Sequence, residues 1–516
     1  MAYSVLIKNG TILDGSGNAP FSADIGIEGN KIKAIGNLEK EKADQMIDAT
    51  NLYVTPGFID LTNHADVYGT IFSIPSQESM LRQGVTTILV GNCGESLAPI
   101  ANKDSLTQLE RWSNEPFNVN WNSFDEYERI LENRGVGINI GSLVGHWTLK
   151  RNAKNIEEMV FLLERSLEEG AWGLSSNFSF FEKDSMLERE TTSLLRVLKK
   201  HDALYKIHLQ DEGKNFLPAL VHAVNLARVS GVRCVISHLK TVGRTSWKDF
   251  DHAIAIMRAA QKEGVDISFD IFPYVRTGSM LSSLLPEWAR EEGDEKILQK
   301  LNDKNFFDTV VEGLKSLTLH PERITIASAL KEKSSVGKTL EEISKRAGVS
   351  PEETLLTILK VNNFNVTIFG KTIESNNVIT ACQDARSMVA SDGAGYDASI
   401  KKFGNLVHPR SFGAFARFFH HIAPKSQLSP ERAIQKLTSL PARAMGLNNR
   451  GLLKNNYIAD IAIFHPEEFR DSATYKNPFN FALGLKALLL SGKMAIVHEE
   501  LVLSAAGIIL RKSAHP

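Results

Sequence analysis

Short runs of apolar, β-branched residues alternate along the chain with longer stretches in which apolar positions recur every three or four residues. The runs are GFIDL (57–61), VTTILVG (85–91), GINIGSLVG (137–145), AWGLSS (171–176), ALYKIHL (203–209), CVISHL (234–239), DISFDI (266–271) and SMVASDG (387–393). Their length and β-branching predict buried strands. Between them lie amphipathic patterns such as IEEMVFLLERSLEEG (156–170) and FDHAIAIMRAAQKEG (250–264). The second places Phe250, Ile254, Met257 and Ala260 on one helical face. Eight strand–helix units predict an α/β fold, a (β/α)8 barrel over about 56–447, with a doubly wound open sheet as the alternative. More than a hundred residues separate the last two strands, too many for a loop; their charged, helical patterning predicts an insertion at about 285–350, near the barrel mouth.

The two ends have a different texture. SVLIKNGTILDGSG and ADIGIEGNKIKAIG at the start, and YIADIAIFHP and ALLLSGKMAIVHEEL at the finish, alternate and turn. Asn9-Gly10, Gly29-Asn30 and Ser491-Gly492 read as hairpin turns. The economical arrangement is one small β-sandwich domain made from 1–55 and 448–516.

A chain of 516 residues with 43% hydrophobic and 23% charged positions has enough apolar material for a large core and a smaller one. A net charge of -1, with no basic tract, offers no field for nucleic acid or a membrane surface. Three widely separated cysteines, Cys93, Cys234 and Cys382, do not form a disulfide framework. Together with the lack of a signal-like segment, they predict a cytoplasmic protein.

Chemistry concentrates where the strands end. In a barrel of this kind, active sites form at the C-terminal ends of the strands. Strand one ends at His64 and Asp66, strand two at Cys93, strand three at His146, strand five at His208, strand six at His238, strand seven at Asp270 and strand eight at Asp392. Any one of these, taken alone, is more often a packing or turn residue. Their shared position predicts a site. A thiolate with imidazoles favours zinc over harder ions, and three protein ligands with one open position is the catalytic arrangement. Asp392 is the candidate for moving protons. Lys240, two residues past His238, shares its side of the strand, and Arg410 in HPRSFG lies beyond strand eight in what reads as an ordered loop. A guanidinium suits a planar carboxylate.

These residues stand in motifs that resemble the amidohydrolase superfamily and, within it, the N-acyl-D-amino-acid deacylases (D-aminoacylases). The motifs are VTPGFID, GVTTILVGNCGESLAP, GHWTLKRNA, GAWGLSS, IHLQDEG, ISHLK, MVASDG and HPRSFGAFARFF, and they follow the family order along nearly the whole chain. The resemblance implies a tightly bound Zn2+ on Cys93, His208 and His238, a catalytic Asp392, and Lys240 and Arg410 on the substrate carboxylate. His64 corresponds to one ligand of a second, weaker metal position. That position needs a histidine two residues earlier, where this chain has Thr62. One zinc is therefore expected, and Thr62→His is expected to improve binding of a second. His146, Tyr274 and Ser279 are further candidate pocket residues. Phe180 stands near where the family has a tyrosine, and Gln210 where it often has arginine. Both departures bear on which substrate is taken.

The function this implies is zinc-dependent hydrolysis of the amide bond of a small N-acyl amino acid, with D configuration expected from the resemblance. The alternatives are hydrolysis of a cyclic amide or peptide-like C–N bond, and a non-catalytic metal-binding relative.

Overall fold

The computed structural model describes residues 3–513, except 107–108, 110–112, 114–117, 178–184, 292 and 318. Phe180 thus lies outside the described residues. Eight parallel strands occupy the middle of the chain: Phe58–Asp60, Val85–Val90, Asn139–Ser142 resuming at Val144–Gly145, Gly173–Asn177, Leu204–His208, Cys234–Ile236, Ile267–Ile271 and Ser387–Val389. Each pairs in parallel with the next. Backbone bonds from Leu143 to Val90 and from Trp172 to Ser142 carry the third strand across its break. A parallel bridge between Asn63 and Gly393 brings the eighth strand back to the first. The ring is the expected (β/α)8 barrel. All six residues of Val85–Val90 are buried, as a strand covered on both faces requires.

The connecting helices follow the sequence pattern. Helix Phe250–Lys262 buries Phe250, Ile254, Met257 and Ala260. Helix Ile156–Glu168 starts at Asn155, whose side chain accepts the Glu158 N–H at 2.8 Å. Among the described residues no helix is long and apolar enough to cross a membrane.

Both termini contribute to one nine-stranded sheet. Strand Tyr53–Pro56 joins the halves by pairing antiparallel with Ile461–Phe464. Side chains from both ends, including Val5, Ile27, Val54, Ile461 and Leu489, form one apolar cluster. Asn9-Gly10 is not a hairpin turn. Tyr3–Ile12 is a single strand, and its register against Phe21–Glu28 shifts between Ile7 and Gly10. Asn9, at φ 60°, forms a bulge there, and its N–H is taken by Asp24 Oδ1 at 2.9 Å. A Cβ on Gly10 would sit 2.5 Å from a Val54 methyl, so the glycine serves close packing, not a turn.

The excursion between the seventh and eighth strands is longer than expected. The helices Asp294–Lys300, Lys304–Lys315, Leu340–Ala347 and Pro351–Val361 are joined by a three-stranded antiparallel sheet of Arg276–Met280, Val366–Lys371 and Ile324–Ala329. The unit therefore begins before 285 and ends after 350, because its sheet recruits strands from both flanks. It has its own core, which includes Leu281, Ile297, Leu314, Ile326 and Leu355.

Candidate active site

The strands deliver their side chains to the mouth by sharp turns. Cys93, His238 and Asp392 all adopt left-handed backbone, at φ 55°, 38° and 50°. Such conformations cost a non-glycine residue roughly 1–3 kcal/mol and collect at functional sites. Gly91 makes the Cys93 turn possible, since a Cβ there would lie 2.2 Å from the Leu143 carbonyl oxygen. Its N–H is held by Asp66 Oδ2 at 2.8 Å. The His238 turn is held by Asp270, whose Oδ1 accepts the His238 N–H at 2.6 Å. The Asp392 turn is held from below by Asp60, which accepts the Ser391 N–H at 2.9 Å and the Asn63 side-chain amide at 2.9 Å.

One candidate ligand atom each from Cys93, His208 and His238 lies within 4.8 Å of the others. Cys93 Sγ is 3.4 Å from His238 Nε2, and His208 Nδ1 is 3.0 Å from His238 Nε2. Burial opposes a charged thiolate, yet His238 and the other imidazoles hold the Cys93 thiol well below its ordinary pKa. A soft thiolate and two imidazoles converging on one point suit a zinc ion. Behind them stands Glu212, with Oε1 3.2 Å from His238 Nδ1 and 4.0 Å from His208 Nε2. A carboxylate on the far nitrogen of a ligand histidine fixes its orientation and tautomer. Burial alone would raise the Glu212 pKa, but Lys240 and the two histidines draw it far below the usual carboxylate range. Nothing in the composition of IHLQDEG singled out Glu212; its spacing of four residues from His208 was the available signal.

Asp392 sits across the mouth. His64 Nε2 donates to its Oδ1 at 3.1 Å, and Arg410 NH1 donates to its Oδ2. Burial opposes its charge, but Arg410, His238 and His64 together keep the carboxyl ionised far below its ordinary range. Arg410 is the first residue of helix Arg410–Arg417, not part of a loop. Its Nε has no partner among the described residues, and its guanidinium lies 5.0 Å above the Phe272 ring. Lys240 Nζ donates to Glu212 and is 2.9 Å from His238 Nδ1.

A cavity of about 640 Å3 joins these groups. His64, Cys93, His208, His238, Asp392, Lys240 and Arg410 all line it, and the insertion roofs it with Gly278, Ser279, Leu284 and Ile368. Ser279 is thus where the sequence reading put it. His146 and Tyr274 are not. His146 is buried at the start of helix His146–Asn152 and is bonded to Glu190 on the neighbouring helix. Tyr274 is buried behind the wall, with its hydroxyl donating to the Pro409 carbonyl at 3.3 Å and its ring edge-on to His408. Neither side chain lines the cavity. Trp147 and Tyr68 line the cavity instead.

A model of the Amidohydrolase family matches residues 285–494. D-aminoacylase from Alcaligenes xylosoxydans xylosoxydans is 28% identical over 99% of this chain and 98% of its own. N-acyl-D-glutamate deacylase from the same organism is 29% identical over 99% of this chain and 97% of its own. A solved structure of D-aminoacylase, studied for its binuclear metal centre, shares the fold with a TM-score of 0.81 at 26% identity, covering 99% of this chain and 100% of that one. The family model matches the C-terminal part of the chain, and the relatives and the shared fold show similarity to the D-aminoacylases over its whole length, in agreement with the motifs.

Proposed function

We propose that the protein is a zinc-dependent hydrolase that cleaves the amide bond of N-acyl amino acids, with D configuration preferred. One observation carries this reading: a thiolate–imidazole triad, an ionised aspartate and two cations line a single roofed cavity. Cys93, His208 and His238 would hold the ion, which would supply Lewis-acid polarisation of the amide carbonyl and a lowered pKa for the attacking water, toward about 7.

The chain's own groups do the rest. Asp392 takes the proton of the attacking water and passes it to the leaving nitrogen, which departs as an amine. His64 and Arg410 each engage one of its oxygens and so fix the direction of its remaining lone pairs. Arg410 and Lys240, which both line the cavity, orient the substrate carboxylate. Ser279, from the insertion, lines the same cavity and offers a further hydroxyl donor. The likeness to D-aminoacylase and N-acyl-D-glutamate deacylase supports the choice of D configuration. The three cysteines are free thiols, which fits a cytoplasmic setting.

A screen of N-acetyl and longer N-acyl D- and L-amino acids, with zinc content measured in parallel, tests the reading. Turnover of D substrates by the zinc-loaded chain is expected. A zinc-loaded chain that turns over no N-acyl amino acid defeats it.

A further inference from the structure

Lys206 lies two residues before His208 in strand Leu204–His208, so both side chains leave the strand on the same side. It is 0% exposed, an extreme position for a lysine. All three ammonium hydrogens have an acceptor. Nζ donates to the Leu61 carbonyl at 2.6 Å, to Thr62 Oγ1 at 2.6 Å and to Asp270 Oδ2 at 3.0 Å. The Thr62 hydroxyl in turn donates to Asp270 Oδ2 at 2.7 Å. The other oxygen of Asp270 holds the His238 turn. One cation, one anion and one hydroxyl, all fully buried, thus form a closed network that links strands one, five and seven beside the metal ligands.

This network bears on how many ions the mouth can hold. The D-aminoacylase structure was studied for a binuclear centre with one-metal activation and second-metal attenuation. In this chain the strand-one side offers a poor second seat. Thr62 has a hydroxyl in place of a ligand nitrogen, and that hydroxyl is engaged both as donor and as acceptor. His64 and Asp392 are bonded to each other. A fixed ammonium stands against Thr62, and its charge repels a second cation in a buried site where screening is weak.

We propose that Lys206, held by Thr62 and Asp270, takes the place of a second metal ion and makes the site mononuclear. The proposal rests on Cys93, His208 and His238 being the metal centre. It also revises the expectation for Thr62→His. Restoring that histidine is not enough while Lys206 stays, and the second ion requires both changes.

Anomalous diffraction from crystals of the full chain equilibrated with excess zinc tests this. Only ions within the barrel mouth are counted, so surface groups such as Glu164, Glu168 and His201 do not enter. One ion is expected in the wild type and in Thr62→His, and two in Thr62→His with Lys206→Met. Two ions in the wild type, or in Thr62→His alone, overturn the proposal, as does a double variant that folds and still holds one. The wild-type and Thr62→His counts decide the matter if the double variant does not fold. No substrate is involved, so a failure of the deacylase reading leaves the count unaffected. A wild-type mouth that binds no zinc removes the metal centre and this proposal together.

Discussion

Each carboxylate oxygen of Asp392 is held by a different side chain, Oδ1 by His64 and Oδ2 by Arg410. Asp392→Asn keeps the size and loses the base. We expect kcat to fall by about 10² or more, the usual range for general acid–base groups, with zinc content unchanged. Zinc analysis beside steady-state kinetics checks both parts. Arg410→Lys keeps a charge but loses the planar fork, so KM for N-acyl amino acids should rise by about tenfold or more, measured on a single substrate series. The residues that the sequence made legible are those at strand ends, because an end position faces the mouth wherever the strand stands in the ring. Lys206 was not legible. Nothing in LYKIH shows that its lysine meets the Leu61 carbonyl, Thr62 and Asp270 across the barrel, and those three acceptors are what permit its burial. His146 and Tyr274 lie just past strand ends, His146 by one residue and Tyr274 by three, and there the chain has already turned, so end position no longer fixes where a side chain goes.

At the scale of elements, helix Phe124–Arg134 carries a testable liability. Glu128 on its buried face is 0% exposed, and neither carboxylate oxygen has a hydrogen-bond partner among the described residues. Arg511 NH1 stands 3.4 Å away. Burial pushes the Glu128 carboxyl up to about 8 from an ordinary 4.5. The folded chain therefore keeps a proton that the unfolded chain loses between those values, and stability falls as pH rises through that window. Glu128→Gln cannot ionise, so its melting temperature should decline less between about pH 5 and pH 8, by the equivalent of a few kcal/mol at most. Thermal melts of both proteins across that range check the difference. Element boundaries were the least legible part of the sequence. Asn9-Gly10 has the composition of a hairpin turn, yet the tertiary contact with Val54 makes it a bulge. The insertion is legible by its helices, while its strand Arg276–Met280 is only partly buried and does not stand out.

On the scale of the whole molecule, the barrel supplies the ligands, the insertion supplies the roof, and the terminal sheet packs both chain ends together beside the first strand. The barrel was legible because buried parallel strands are short, mostly apolar runs that alternate with amphipathic helices. How the roof meets the mouth was not, since it depends on contacts between segments that are far apart in the chain. The central claim is that a single zinc on Cys93, His208 and His238 drives hydrolysis of an N-acyl-D-amino acid. The most direct test is to strip the full chain of metal with a chelator and follow N-acetyl-D-amino-acid hydrolysis as zinc is returned. Activity should be absent without metal and reach its full value at one zinc per chain. Full activity in the metal-free protein, or none at any zinc level, would contradict it.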